Sequence, residues 1–314
     1  MKICLKYLLL VAVAAGMCCC HGRKWSESPA DGYNIIVQKG GPTLGYSPES
    51  GVVILTEGGY AFKDLNRNGR LDVYEDWRRP VEERIDDLVA QMSIEEIAGL
   101  MLYSNHEAVP ATSYDVSPYG GKPYEQSGAK PYDLSDHQKR FLKEDHLRHI
   151  LVTIIESPEV AARWNNNVQA YVEGLEHGIP ANNSSDPRHS ARKDAEFNAG
   201  GGGSISMWPG PLGLAATFSP ELVRRFGEVA SSEYRALGLA TTLSPQVDLP
   251  TEPRWYRWYS TLGEDPKLAA DMARAYCDGF QTSEGEDEIA DGWGWQSVNA
   301  MVKHWPGGGS CEAG

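Results

Sequence analysis

The 314-residue chain has little cysteine to work with. Of its six cysteines, Cys4, Cys18, Cys19 and Cys20 crowd the first twenty positions, leaving Cys277 and Cys311 for the remainder. Two cysteines make no disulfide framework, although an oxidising compartment permits one bond. Positive charge is also scarce: 29 Lys and Arg stand against 43 Asp and Glu, for a net charge of −14. Without a basic stripe, nothing points to a nucleic-acid partner. No GxGxxG follows a strand, which removes the best support for a dinucleotide fold. The glycine run at residues 200–203 lacks the Lys-Ser/Thr of a Walker loop.

What is present begins with a targeting segment over residues 1–20. Lys2 and Lys6 form a positive n-region, residues 8–15 an apolar stretch, and Ala14, Ala15 and Gly16 a small-residue region. This is the pattern of a secretory signal, with an apolar stretch too short to span a bilayer stably. Cys18, Cys19 and Cys20 follow it, so a lipid-modified cysteine and simple cleavage are both open. The expected location is exported, either periplasmic or as an outer-membrane lipoprotein held through an N-terminal lipid. Nine tryptophans and fifteen tyrosines give a weak lift to sugar binding, because aromatic faces stack on sugar rings.

Residues 21–50, rich in Gly, Ser and Pro, read as a linker or irregular arm, and residues 51–79 as a short segment with a β-like run at Val52, Val53, Ile54 and Leu55. Pro80 opens an amphipathic helix with Ile85, Leu88, Val89 and Met92 on one face, and Ser93 with Glu96 forms a capping box for a second. Residues 104–130 read as loop. From there strands alternate with helices: a buried strand at residues 149–155, helices announced by Ser157-Pro158, Ser219-Pro220 and Asp265-Pro266, strand regions after Pro180 and over 239–249, and a last strand over 297–305. Such alternation predicts βα units and a parallel sheet, either an open doubly wound sheet or a closed barrel.

One motif is complete by spacing alone. In residues 64–75, oxygen side chains fall at loop positions 1, 3, 5, 9 and 12 (Asp64, Asn66, Asn68, Asp72 and Glu75). Gly69 stands at the sharp turn, and Arg70 offers its carbonyl. The expectation is one structural Ca²⁺ in an EF-hand-like loop, closer to a dockerin loop because no helix precedes it; the alternative is a polar turn without an ion.

Three further places carry chemistry. Asp186 and His189 follow the strand region opened by Pro180, where they either grip a polar ligand or serve as a helix cap and a solvated histidine. Asp248 ends a strand region, and Arg254 beside Trp255 suits a polar pocket with an aromatic wall or else a surface ion pair. Lys303 and His304 close an apolar run just before a glycine loop, the position of pocket residues at strand C-termini in a barrel.

Together these segments resemble glycoside hydrolase family 3, of the β-glucosidase type. The likeness rests on Gly178-Ile179-Pro180 with Asp186-Pro187-Arg188-His189, and on the Gly-Leu-Ala-Ala-Thr-Phe stretch at residues 213–218 followed by Ser219-Pro220-Glu221. It continues through Pro253-Arg254-Trp255-Tyr256-Arg257, Gly263-Glu264-Asp265-Pro266 and Lys303-His304-Trp305. The resemblance implies an α/β fold: an incomplete (β/α)8 TIM barrel over residues 80–314, preceded by the EF-hand-like calcium loop. It implies that Asp186, Arg254, Lys303 and His304, with Asp248, bind the non-reducing-end sugar of a β-glucoside or β-gluco-oligosaccharide. It needs no catalytic cofactor, and it places the family nucleophile and acid/base beyond Gly314. Ser260 replaces a frequent Glu and Tyr256 a frequent Gly. Gly308 stands where the N-acetylglucosaminidase branch has His, which favours the β-glucosidase branch. The alternatives are a non-catalytic sugar-binding remnant and a β-N-acetylglucosaminidase.

Overall fold

The computed structural model describes residues 22–189, 191, 205–282, 288–290, 292–294 and 296–304. The expected targeting segment, the cysteines at 4, 18, 19, 20 and 311, the 200–203 glycines and the residues from Trp305 onward lie outside the described residues. No helix among the described residues is long and apolar enough to cross a membrane.

The chain divides into two compact units, residues 1–91 with 176–178, and the rest. In the first, residues expected to be an irregular arm pair instead as a three-stranded antiparallel sheet: β1 (Trp25–Pro29), β2 (Asn34–Gln38) and β3 (Leu44–Tyr46). The Gly and Pro that looked like linker composition are its turns; Gly32 and Gly40 hold φ of 84° and 76°, which side-chain-bearing residues rarely adopt. A separate hairpin, β4 (Val53–Glu57) and β5 (Tyr60–Asp64), runs into the 64–75 loop, and helix α1 (Val81–Gln91) follows. The unit boundary therefore falls after α1, where the sequence placed it before Pro80.

The second unit holds a five-stranded parallel sheet: β6 (Tyr103–Val109), β7 (His149–Ile155), β8 (Asn182–Ser185), β9 (Thr241–Thr242) and β12 (Asn299–Ala300). Each strand lies beside its predecessor in this series. That is the order a barrel takes; a doubly wound sheet reverses direction at a switch point. A small ribbon, β10 (Glu288–Ala290) with β11 (Trp293–Gly294), interrupts the series. Strand β6 lies within the stretch expected to be loop; its polar run of Ser, Asn, His and Glu hid an edge strand.

Helices α2 (Ile94–Gly99), α3 (Tyr124–Ser127), α4 (Asp136–Lys143), α5 (Pro158–Glu173), α6 (Pro211–Ala215), α7 (Pro220–Leu237) and α8 (Pro266–Gln281) complete the unit. Their starts are where the caps put them: Ser93, Ser157, Ser219 and Asp265 each accept a backbone N–H with the side chain. Capping boxes form at Ser93 with Glu96 and at Ser135 with Gln138. Helix α7 stops at Gly238, whose φ of 81° is the left-handed C-cap that glycine accepts without strain. Between sheet and helices lies one apolar core that includes Ile150, Trp164, Phe226, Tyr234, Met272 and Phe280. Helices α7 and α8 meet through Gly227 and Gly279; a Cβ on Gly279 would sit 2.3 Å from the Arg224 carbonyl oxygen. Any larger residue there would force the pair apart.

Candidate active site

The parallel register decides which residues share an end of the sheet. Asp186 directly follows β8, Asp248 lies beyond β9, and Lys303 and His304 lie beyond β12. All four therefore emerge at the strand C-termini. The ladder continues past the formal strands: Gln246 bridges Lys303 in parallel, Lys303 N–H donates to the Pro245 carbonyl at 3.0 Å, and Val247 N–H donates to the Lys303 carbonyl at 2.7 Å. The expected strand over 297–305 is thus, among the described residues, a two-residue strand and a short bridge, with the register stepping by one residue between the Met301–Thr242 and Lys303–Pro245 bonds.

The side chains close into two charge-assisted pairs. Lys303 Nζ donates to Asp186 Oδ1 at 2.6 Å, with both side chains under one-fifth exposed. His304 Nδ1 lies 2.8 Å from Asp248 Oδ2, and the Asp248 side chain is fully buried. A carboxylate on Nδ1 fixes the ring orientation and turns Nε2 away from it, towards an incoming group. Buried carboxylates of this kind are tolerable only when paired.

Arg254 is placed differently. Its guanidinium forms a bidentate pair with Glu252, at 2.8 and 2.7 Å, and its side chain is 64% exposed. The ion-pair alternative therefore describes this structure, and the wall residue Trp255 is buried in the core. His189 is no solvated residue either. It lies 4% exposed between Phe226 and Tyr234, with Nε2 at 2.6 Å from Glu233. Burial pulls its pKa below the ordinary histidine value, against the opposing pull of Glu233.

Sequence reasoning missed the supports beneath Asp186. The buried Arg188 guanidinium donates to the Val152 and Thr153 carbonyls at 2.9 and 3.1 Å, fastening the end of β7 to the segment after β8. Tyr234 on α7 donates its hydroxyl to the Asp186 carbonyl at 2.7 Å. Thr242, Ser244 and Tyr276 form a buried hydroxyl chain from β9 to α8. Burial pushes Tyr276 up to about 12 and raises Tyr234 as well, so both phenols stay neutral. Tyr234 and Tyr276 fall on the apolar faces of their helices, so in sequence they read as core.

A second buried acid lies on β6. Glu107 is 1% exposed, accepts from Gln138 Nε2 at 3.0 Å, and has its other carboxyl oxygen unpaired. Burial raises it to about 7, with the Asp115 charge acting the same way. A raised carboxyl costs nothing when protonated, and burying its charge weakens the folded state as pH climbs from the unfolded value near 4.5 through 7. Glu107→Gln keeps the shape and removes the charge. Its stability relative to the unaltered protein is expected to rise between pH 4.5 and 8 by at most about 3 kcal/mol. Urea midpoints at the two pH values measure this; an unchanged difference would show that Glu107 stays solvated.

The sequence profile described as the glycosyl hydrolase family 3 N terminal domain matches residues 87–314. The chain belongs to glycosyl hydrolase family 3. Within that family it is 39% identical over 265 residues to a periplasmic β-glucosidase/β-xylosidase of Dickeya chrysanthemi, covering 84% of this chain and 37% of that protein. It is 36% identical over 252 residues to a probable β-glucosidase C of Aspergillus oryzae, covering 79% and 35%. This family 3 chain thus spans little more than a third of the length of the curated relatives it matches. Among solved structures it shares the fold of a β-glucosidase from Erythrobacter marinus, with 22% identity and a TM-score of 0.53 over 74% of this chain and 27% of that one. An exo-1,3/1,4-β-glucanase from a Pseudoalteromonas species gives 20% identity and a TM-score of 0.52 over 74% and 25%.

Proposed function

We propose that this chain is the sugar-binding portion of an exported, exo-acting, retaining β-glucosidase. The observation that carries the reading is the pair of contacts, Asp186 with Lys303 and Asp248 with His304, at the C-terminal ends of β8, β9 and β12, with β9 between the other two. An ammonium and a carboxylate held side by side offer one donor and one acceptor to adjacent hydroxyls of a hexose. His304 Nε2 offers a third contact at a fixed direction. Asp248 acts on the substrate through His304, as a positioning residue, and Arg254 reaches the sugar only on exchanging Glu252 for a hydroxyl.

Retaining hydrolysis needs two carboxyl groups roughly 5 Å apart, one attacking and one protonating the leaving group. In this proposal both come from sequence beyond Gly314, and the 314-residue polypeptide supplies binding without turnover. Export rests on the signal-like first twenty residues and on the periplasmic description of the Dickeya chrysanthemi relative. A lipid on one of Cys18, Cys19 or Cys20 would add membrane anchoring.

The same relative's name includes β-xylosidase, so a pentoside is the substrate to test against. The protein extended through its remaining barrel strands and acid/base domain is expected to cleave 4-nitrophenyl β-glucoside with a higher kcat/KM than the β-xyloside or the β-N-acetylglucosaminide. A preference for the N-acetylglucosaminide, or for the xyloside, would replace the proposed specificity.

A further inference from the structure

The loop between β5 and α1 takes no part in the sugar site, yet two of its acids are deeply buried: Asp64 is 2% and Glu75 5% exposed. Asp64 accepts from the N–H groups of Asn68 and Gly69 at 3.0 and 2.9 Å. Glu75 accepts from Leu65 and Asn66 N–H through one oxygen, at 2.6 and 3.3 Å, and from Asp72 N–H through the other at 3.0 Å. The backbone wraps around the acids, helped by Gly69 at φ 77°. Both Asn66 Nδ2 and Asn68 Nδ2 then point at a single oxygen, Asp72 Oδ2, at 2.7 and 2.6 Å.

An asparagine amide has an oxygen where its nitrogen stands after a half turn. Rotating Asn66 and Asn68 would bring their oxygens against Asp72 Oδ2, in exchange for the bonds those oxygens now accept from the Asn68 and Arg70 N–H groups. Oxygens that close repel each other unless a cation sits among them, and oxygens around an ion at 2.3–2.6 Å pack at about this spacing. A separate observation comes from Tyr74. It is 4% exposed, and its hydroxyl finds no partner at hydrogen-bonding geometry. This orphaned buried hydroxyl lies near Glu75, Asp72 and Asp64, the acids whose oxygens a bound cation would draw together.

We propose that residues 64–75 bind one Ca²⁺. Its ligands are the side-chain oxygens of Asp64, Asn66, Asn68 and Asp72, the Arg70 carbonyl and both oxygens of Glu75. The number of oxygens and the bidentate acid favour Ca²⁺ over Mg²⁺, which demands a tighter octahedron and keeps its waters. The ion has a structural consequence within this unit. Tyr74 N–H donates to Asp87 at 3.0 Å and Arg84 donates to the Tyr74 carbonyl at 2.9 Å, so the end of the loop is bonded to α1. Ordering the loop therefore orders the junction of the β4–β5 hairpin with that helix.

The test is Tb³⁺ luminescence on the full chain, stripped with chelator and desalted, with excitation through Tyr74. Saturable emission displaced by Ca²⁺, and not by equal Mg²⁺, is expected, with a calcium-dependent rise in Tm. Glu75→Gln should weaken binding by about 30-fold or more, the effect of removing one charged member of a buried pair. Asn68→Asp, which adds a charge to the ligand set, should tighten it; this gain keeps the test decisive even where Glu75→Gln folds poorly. Asp186→Ala should leave it unchanged. Emission that Ca²⁺ fails to displace at roughly millimolar concentration, the weak end for such loops, or that survives Glu75→Gln unchanged in a folded protein, overturns the proposal.

Discussion

Replacing Asp186 by Ala in the extended protein is expected to lower kcat/KM for an aryl β-glucoside by at least about 100-fold. Hydrogen bonds to charged groups are worth about 1.5–3 kcal/mol each, and about 2.7 kcal/mol is 100-fold. Asp186 loses such bonds to the sugar and leaves Lys303, its partner at 2.6 Å, unpaired in a site where both side chains are mostly buried. Lys303→Met should act in the same direction. Because the two form one unit, the double variant should cost clearly less than the sum of the singles. The unaltered Tyr234 and Arg188 contacts hold the backbone there, so the Tm should fall by only a few degrees. A loss under fivefold for Asp186→Ala, at unchanged Tm, would remove Asp186 from the sugar site. Arg254→Ala gives the contrast: its guanidinium is exposed and already committed to Glu252, so a smaller loss is expected unless binding draws it inward.

Much of this was readable in the chain because the relevant signals are local. Ser-Pro and Asp-Pro pairs are helix starts wherever they occur, since the cap and the missing proline N–H both act within one turn. The apolar run from His149 to Ile155 could only be buried on both faces, and β7 has those same ends. Pairing across more than a hundred residues was not local. Asp186 and Lys303 are 117 positions apart, and only the rule that parallel strands end on one face brings them together. Nothing local distinguishes Arg254, bound to Glu252, from an arginine aimed into a pocket. Nothing local marks β6 either, because its Ser, Asn, His and Glu are paired by β7 on one side and not by their own pattern. The N-terminal sheet failed for the opposite reason: glycine and proline mark turns, and turns between short strands look like a linker.

The 314-residue polypeptide is expected to show no measurable turnover of an aryl β-glucoside and to be poorly soluble once purified. The first expectation follows from the carboxylates. Asp186 is held by Lys303 and Asp248 by His304, so each acid of the cluster is committed to a partner, and in the function proposed above the nucleophile and the acid come from other residues. The second follows from the sheet. Among the described residues the parallel strands number five, where a closed barrel needs eight, and β6 and β12 each have a single neighbour. Open edges recruit other chains, and Met301 and Val302 beside β12 are 40% and 42% exposed. In the proposed function, pairing β12 with a further barrel strand would cover that edge and bring the two reacting carboxylates to the same strand ends. Extension past Gly314 should therefore restore solubility and turnover together. Their separation is informative: solubility without activity would fit a sugar-binding protein, detectable by glucoside binding in calorimetry. Robust turnover by the 314-residue polypeptide, abolished by Asp248→Ala, would instead make Asp248 a catalytic carboxylate and reverse the assignment of positioning made for it above.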